Sequence, residues 1–419
     1  MTSFACHAKL AFGTVAVLLG ILLGVESVHG QDAAFHPLVF DVKLDTVLQG
    51  INPEFAWFHP RVVSIPNAER DGQPSVLMTI QKHLKVSDFY SGLWMMRTDD
   101  LGKTWTGPIE IPELAWNVEE NGVIHGVADV TPGWHAPSGK VLAIGCTVRY
   151  SKKGEQLSDV RRFSQTAYAV FDPKTNRWTP WQILEMPDDD KFNMARNACA
   201  QWLVQPDGTL YLPMYFGKAD NLPYGVTVVQ CAFDGQKLTY LRHGDELSLN
   251  VVRGLCEPSI IAYQGRYFLT IRNDVKGYVT SSDDGLHYAP IQPWTFDDGV
   301  ELGSYNTQQH WLAHREGLFL SYTRRGANND HIPRNRAPIF MAQVDPQKLH
   351  VVRATEKVLI PERGAMLGNF GAAAITPEES WVTDAEYLFG KDPTARGANA
   401  SVFAARVIWS KPNVAASAP

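Results

Sequence analysis

The chain has 419 residues, 45% of them hydrophobic, and a formal net charge of −6. That balance excludes a nucleic-acid binder built on a basic stripe and leaves ample apolar material for a large core. Cys146, Cys199, Cys231 and Cys256 are too few for a disulfide scaffold in so long a chain, although one or two bridges suit an exported protein.

Residues 1–30 read as a signal peptide. The apolar run "LAFGTVAVLLGILLGV" (10–25) is shorter than the roughly 20 residues of a membrane span. "SVHG" then supplies small residues for cleavage before Gln31. The expectation is a secreted or periplasmic protein with no membrane attachment after cleavage, and with 31–419 as one domain.

Beyond residue 31 one pattern returns six times: a polar start, an apolar strand, a tight turn and a second apolar strand. It begins at "HPRVVSIP" (59), "HGVADVTP" (125), "NACAQWLV" (197), "CEPSIIAY" (256), "NTQQHWLA" (306) and "GNFGAAAI" (368). Turns such as "PDG", "PSG" and "YQG" are hairpin signals. A third strand follows in the first five copies and ends in an Asp-led turn, as in "RTDDLGKTW" and "SSDDGLHY". There Asp100 is expected to accept backbone N–H bonds, Gly102 to take a positive φ, and Trp105 to bury its ring. The sixth copy keeps only "ANASVFAARVIWS" (398–410) after its hairpin, so "HPLVFDVKL" (36–44) is the natural strand to complete it. Long helical periodicity is absent. The predicted fold is all-β, a six-bladed β-propeller of four-stranded antiparallel blades closed by an N-terminal strand.

The two best turns, "TDDLGKTW" and "SSDDGLHY", match the Asp-box pattern S/T-x-D-x-G-x-T-W, and the chain resembles the sialidase superfamily of six-bladed propellers. The resemblance implies a glycosidase whose site lies on the face away from the Asp boxes. On that face the strand starts and ends carry His59, Arg61, Asp88, His125, Glu257, Arg272, Tyr305, Asn306, Arg324, Arg336 and Asn369. Sialidases hold a substrate carboxylate with three arginines, which the resemblance places on Arg61, Arg272 and Arg336, with Asp88 as catalytic aspartate and Glu257 beside Arg272. Their nucleophilic tyrosine should open the sixth blade, where this chain has Phe370 in "MLGNFGAAA".

Three readings follow. In the first, an exo-glycosidase uses Asp88 and Glu257 as a carboxyl pair on an acidic glycan, with Arg324, His59, Asn306 and Asn369 completing the binding surface. In the second, a polysaccharide lyase removes a proton beside a uronate carboxylate with His125 or His59 and returns one from Tyr305 or Tyr150. In the third, the propeller binds sugars or proteins without catalysis. The expected partner is an acidic oligosaccharide or polysaccharide. No CxxC or HExxH run is present, so neither metal nor cofactor is expected.

Overall fold

A computed structural model describes residues 37–67, 72–218 and 223–414; the expected signal peptide lies outside the described residues. All six hairpins form. Their strands are Ala56–Ile65 with Ser75–His83, Ile124–His135 with Lys140–Tyr150, and Leu203–Val204 with Leu210–Gly217. The last three pair Cys256–Tyr263 with Arg266–Arg272, His310–His314 with Gly317–Tyr322, and Gly371–Thr376 with Glu379–Ala385. Local chemistry explains the turns. Between Tyr263 and Arg266 both Gln264 (φ 48°) and Gly265 (φ 77°) are left-handed, which matches the twist of the strands they join.

Third strands run antiparallel to each hairpin, and Asp-led turns follow the first five of them as expected, with Asp172, Asp234 and Asp345 accepting backbone N–H bonds in the second, third and fifth. Asp100 Oδ1 accepts the Thr98 hydroxyl (2.8 Å) and the Thr104 N–H (2.9 Å). Asp284 Oδ1 does the same for Ser282 (3.0 Å) and for the N–H groups of Leu286 and His287 (both 2.8 Å). Trp105 is only half-buried, leaning on Trp381 at a ring separation of 6.2 Å.

The N-terminal strand completes the sixth sheet, four residues further along the chain than predicted. Phe40–Leu48 runs antiparallel to Val402–Trp409, from Phe40 opposite Trp409 to Leu48 opposite Val402. Phe40 is buried against Phe319 (5.7 Å) and Trp409 (5.9 Å). Apart from Phe40 the residues of this strand are exposed or half-buried, because it is the outer edge of its sheet. Another departure is Met194–Arg196, which pairs antiparallel with the third hairpin and parallel with Ser164–Asp172. It joins the second and third repeats into one 11-stranded sheet.

Each sheet packs face to face with the next. Val62, Met78 and Met96 of the first repeat share a core with Trp381, Val402 and Ala404 of the sixth. Val63 and Leu77 pack on Val141 and Phe171 of the second. Burial on both faces explains the unbroken apolar runs of the middle strands. Toward the interior, first strands bond across repeats: Arg61 donates from Nη1 to the Val130 carbonyl (3.0 Å) and from Nε to that of Phe370 (3.3 Å). Gln201 donates to the carbonyls of Trp311 (2.9 Å) and Ala372 (3.1 Å). The four cysteines are buried and free, which corrects the allowance for bridges.

Candidate active site

At the head of five repeats the backbone turns left-handed at a residue that is not glycine: His59 (φ 53°), Asp129 (59°), Cys199 (52°), Glu257 (44°) and Asn306 (55°). The strand register skips at three of these points, between Phe58 and Arg61, Ala128 and Thr131, and Cys256 and Ser259. Such bulges re-aim a side chain, and each left-handed residue costs on the order of 1–3 kcal/mol that the surrounding structure must offset. His59, Asp129, Cys199 and Glu257 all line one cavity of about 470 Å³.

Positive charge dominates the cavity wall. Lys85, Arg196, Arg253, Arg272, Arg334 and Arg336 line it, against the carboxyls of Asp88, Asp129 and Glu257, in a chain whose net charge is −6. Arg272 bonds Glu257 through Nη1 and reaches Asp274 and Asn306 through Nη2 (both 3.1 Å). Burial works against charge on Glu257, but the charge and hydrogen bond of Arg272, with Arg253 and Arg336, outweigh it and hold the carboxyl down at about 2. Among the described residues Arg336 has no carboxylate partner; its guanidinium donates to the backbone carbonyl of Asn306. Burial, then the charges of Arg272 and Arg334, pull it down to about 10. Gly368 (φ 99°) makes this approach feasible, because a Cβ there would lie 3.2 Å from the Arg336 Cδ. The Gly368 N–H is held by the buried Asp384 (2.7 Å), and the next residue, Asn369, lines the cavity.

Asp88 accepts the Tyr90 hydroxyl at 3.3 Å, and its backbone carbonyl takes that of Tyr150 at 3.0 Å. His59 is buried, its Nε2 lying 3.2 Å from Asp129 Oδ1 and its ring 4.9 Å from that of Tyr90. Burial, then the charge of Arg61, keeps this imidazole well below its ordinary range and therefore neutral. Tyr215 lies under the Arg196 guanidinium (4.7 Å). Burial raises its phenol well above the ordinary value, Arg196 opposes, and Glu257 adds to the rise. Tyr387 and Phe389 stack at 5.7 Å on the cavity wall, with Phe389 exposed.

Of the residues expected from sequence, Asp88, Glu257, Arg272, Arg336, His59 and Asn369 line the cavity, and Asn306 bonds two of its arginines. Asn306 does not itself line it, and neither do four others. Arg61 is buried behind it, its guanidinium held by backbone carbonyls. His125 pairs with Glu119 on the surface because the strand's bulge falls four residues later, at Asp129. Tyr305 donates to Asn335 Oδ1 (2.7 Å) beneath Arg325. Arg324 is held bidentately by Glu356 (2.8 and 2.7 Å), so its charge is already matched. Sequence reasoning missed Asp129, Cys199, Arg196, Arg253 and Tyr215. Aligning the six repeats on their left-handed position would have found the first two.

No family model and no curated protein matches the sequence. Solved structures do. A Trypanosoma rangeli sialidase in complex with the inhibitor DANA superposes with a TM-score of 0.55 at 12% identity, over 84% of this chain and 55% of that one. The fold is sialidase-like. The NanB sialidase of Streptococcus pneumoniae gives 0.57 at 11% identity, over 90% and 71% of the two chains. The endosialidase of phage phi92 gives 0.50 at 12%, over 91% and 71%. This chain spans 55% to 60% of the length of the trypanosomal chains it matches. On the sialidase-like fold the site's chemistry rests on this chain's own residues.

Proposed function

We propose that this protein is an exported, sialidase-like exo-glycosidase acting on a carboxylated or sulfated glycan. The observation that carries this reading is the juxtaposition of Arg272 and Arg336, the second with no carboxylate of its own, on a cavity wall rich in cations. Guanidinium forks bind carboxylate and sulfate bidentately, and a buried pair of like charges gains most from an anion that neutralises it. Packing of each sheet on the next, and of the sixth on the first, supports a closed six-bladed propeller over 31–419, with the cavity at its axis. Export rests on the apolar segment within residues 1–30.

In this reading the arginines seat the acidic group and Asp88 protonates the departing glycosidic oxygen. Glu257, held ionised by Arg272, stabilises the positive charge that develops on the sugar ring. Phe370 cannot supply a nucleophile, since it is buried and has no hydroxyl. Tyr215, whose phenol lines the same cavity, is the candidate to attack the anomeric carbon, the Arg196 guanidinium over its ring favouring the phenolate once its proton is released to cavity water.

A second reading, elimination from a uronic acid, draws support from the neutral His59 beside Tyr90 as base and acid. Incubation with sialylated and uronate-containing glycans separates the two. Hydrolysis releases reducing sugar with no ultraviolet change, whereas elimination creates an absorbing unsaturated uronate. Affinity for acidic glycans with neither product would identify a binding module and overturn both.

A further inference from the structure

We infer that His59, Asp129 and Cys199 form a binding site for a divalent transition metal of zinc-like softness, set in the wall of the cavity. One ligand atom from each lies within 4.8 Å of the others, although the three residues come from three different repeats. Two of their backbones are linked, since the Cys199 N–H donates to the Asp129 carbonyl at 3.1 Å. All three side chains are aimed by the same left-handed turn, so the cluster is built by the fold rather than by chance proximity of flexible groups.

The donor set points to the class of ion. Imidazole, thiolate and carboxylate together suit zinc and its neighbours, whereas calcium and magnesium favour oxygen alone. Three protein ligands leave a coordination position for water or substrate, the pattern of catalytic rather than structural zinc. Access comes from the cavity: the Asp129 side chain keeps 25% of its surface exposed, while His59 keeps 2%.

The surroundings of the trio are incomplete without an ion. Among the described residues His59 Nδ1 is buried with no hydrogen-bond partner, and so is Arg61 Nη2. A bound cation would draw the proton from the Cys199 thiol to solvent and bond the sulfur. Such an ion would also supply the cation that Arg61, buried out of the cavity, does not. That role rests on the acidic-glycan reading, whereas the site itself does not.

Cobalt(II) titrated into the chelator-stripped mature protein, with no sugar present, tests the inference. One equivalent should bind, with visible bands of tetrahedral intensity and a near-ultraviolet thiolate-to-cobalt band, and zinc should displace it. Cys199→Ser should abolish the near-ultraviolet band. Cys231→Ser, whose thiol lies in a separate core between the second and third repeats, should retain it. Substoichiometric cobalt, a spectrum without a thiolate band, or a band that survives Cys199→Ser would overturn the site. The unaltered protein's spectrum decides the matter even if Cys199→Ser does not fold. Because no turnover is read, failure here leaves the glycosidase reading standing, and the reverse also holds.

Discussion

Arg272 and Arg336 share one acceptor. The side-chain oxygen of Asn306 takes a bond from each guanidinium, at 3.1 and 3.5 Å, although the arginines come from the fourth and fifth repeats. Arg272 is already paired with Glu257 and Asp274, so in the proposed function Arg336 is the guanidinium left to take an anion. Arg336→Lys keeps the charge but loses the planar fork. Charge-assisted contacts are worth about 1.5–3 kcal/mol, so affinity for a carboxylated sugar should fall by roughly one to two orders of magnitude. Affinity for a neutral sugar should hardly change when both are measured by calorimetry.

Gly368→Ala tests the same arrangement through the backbone. A methyl at φ 99° would lie 3.2 Å from both the Arg336 Cδ and the Thr307 Oγ1. Stability should drop by about 1–3 kcal/mol, and the carboxylate affinity should drop with it because Arg336 is displaced. Chemical denaturation and ligand titration on one preparation check both expectations. Lost stability with undiminished affinity would show that Arg336 does not contact the ligand.

Acid should destabilise the fold in two stages. His310 is held at about 3 against an ordinary 6.5, by burial and then by the charge of Arg61. The unfolded chain therefore takes up a proton that the folded one refuses, and stability falls as pH drops from about 6.5 toward 3. Glu257, held at about 2 against an ordinary 4.5, contributes stability that is present above 4.5 and lost as pH falls toward 2. In a melting-temperature profile His310→Gln should flatten the upper stage and Glu257→Gln the lower one. Unchanged slopes in both variants would contradict these environments.

The Asp-led turns belong to the fold rather than to the chemistry. Trp105 is half-buried against Trp381, outside the cavity lining. Trp105→Ala should cost about 2–3 kcal/mol of stability and leave acidic-sugar affinity intact. Affinity lost without a change in stability would move the site to the other face.

The strands were legible because their physics is local: alternation, hairpin glycines and Asp-led turns each lie within about ten residues. The ends of the chain were legible too, since the sixth copy lacked a strand and residues near 40 could supply one. Arg272 and Glu257 were readable because one hairpin carries both. Asp129 was not, because its bulge falls inside the 12-residue strand Ile124–His135 and leaves no break in the pattern. Arg324 and Arg196 show the same limit. Both sit at strand ends, and what separates them is a distant partner, Glu356 for the first and the ring of Tyr215 for the second. A metal-ligand cluster assembled from residues 59, 129 and 199 has no spacing that a motif could register.

The most direct measurement sets N-acetylneuraminic acid and glucuronic acid against their methyl esters in calorimetric titrations of the unaltered protein. Each ester keeps the sugar and removes the charge. We predict that at least one acid binds and that its ester binds about tenfold or more weakly, the difference shrinking in Arg272→Lys. Esters that bind as tightly as the acids, or a protein that binds neither acid, would contradict an anion-selective cavity built on Arg272 and Arg336.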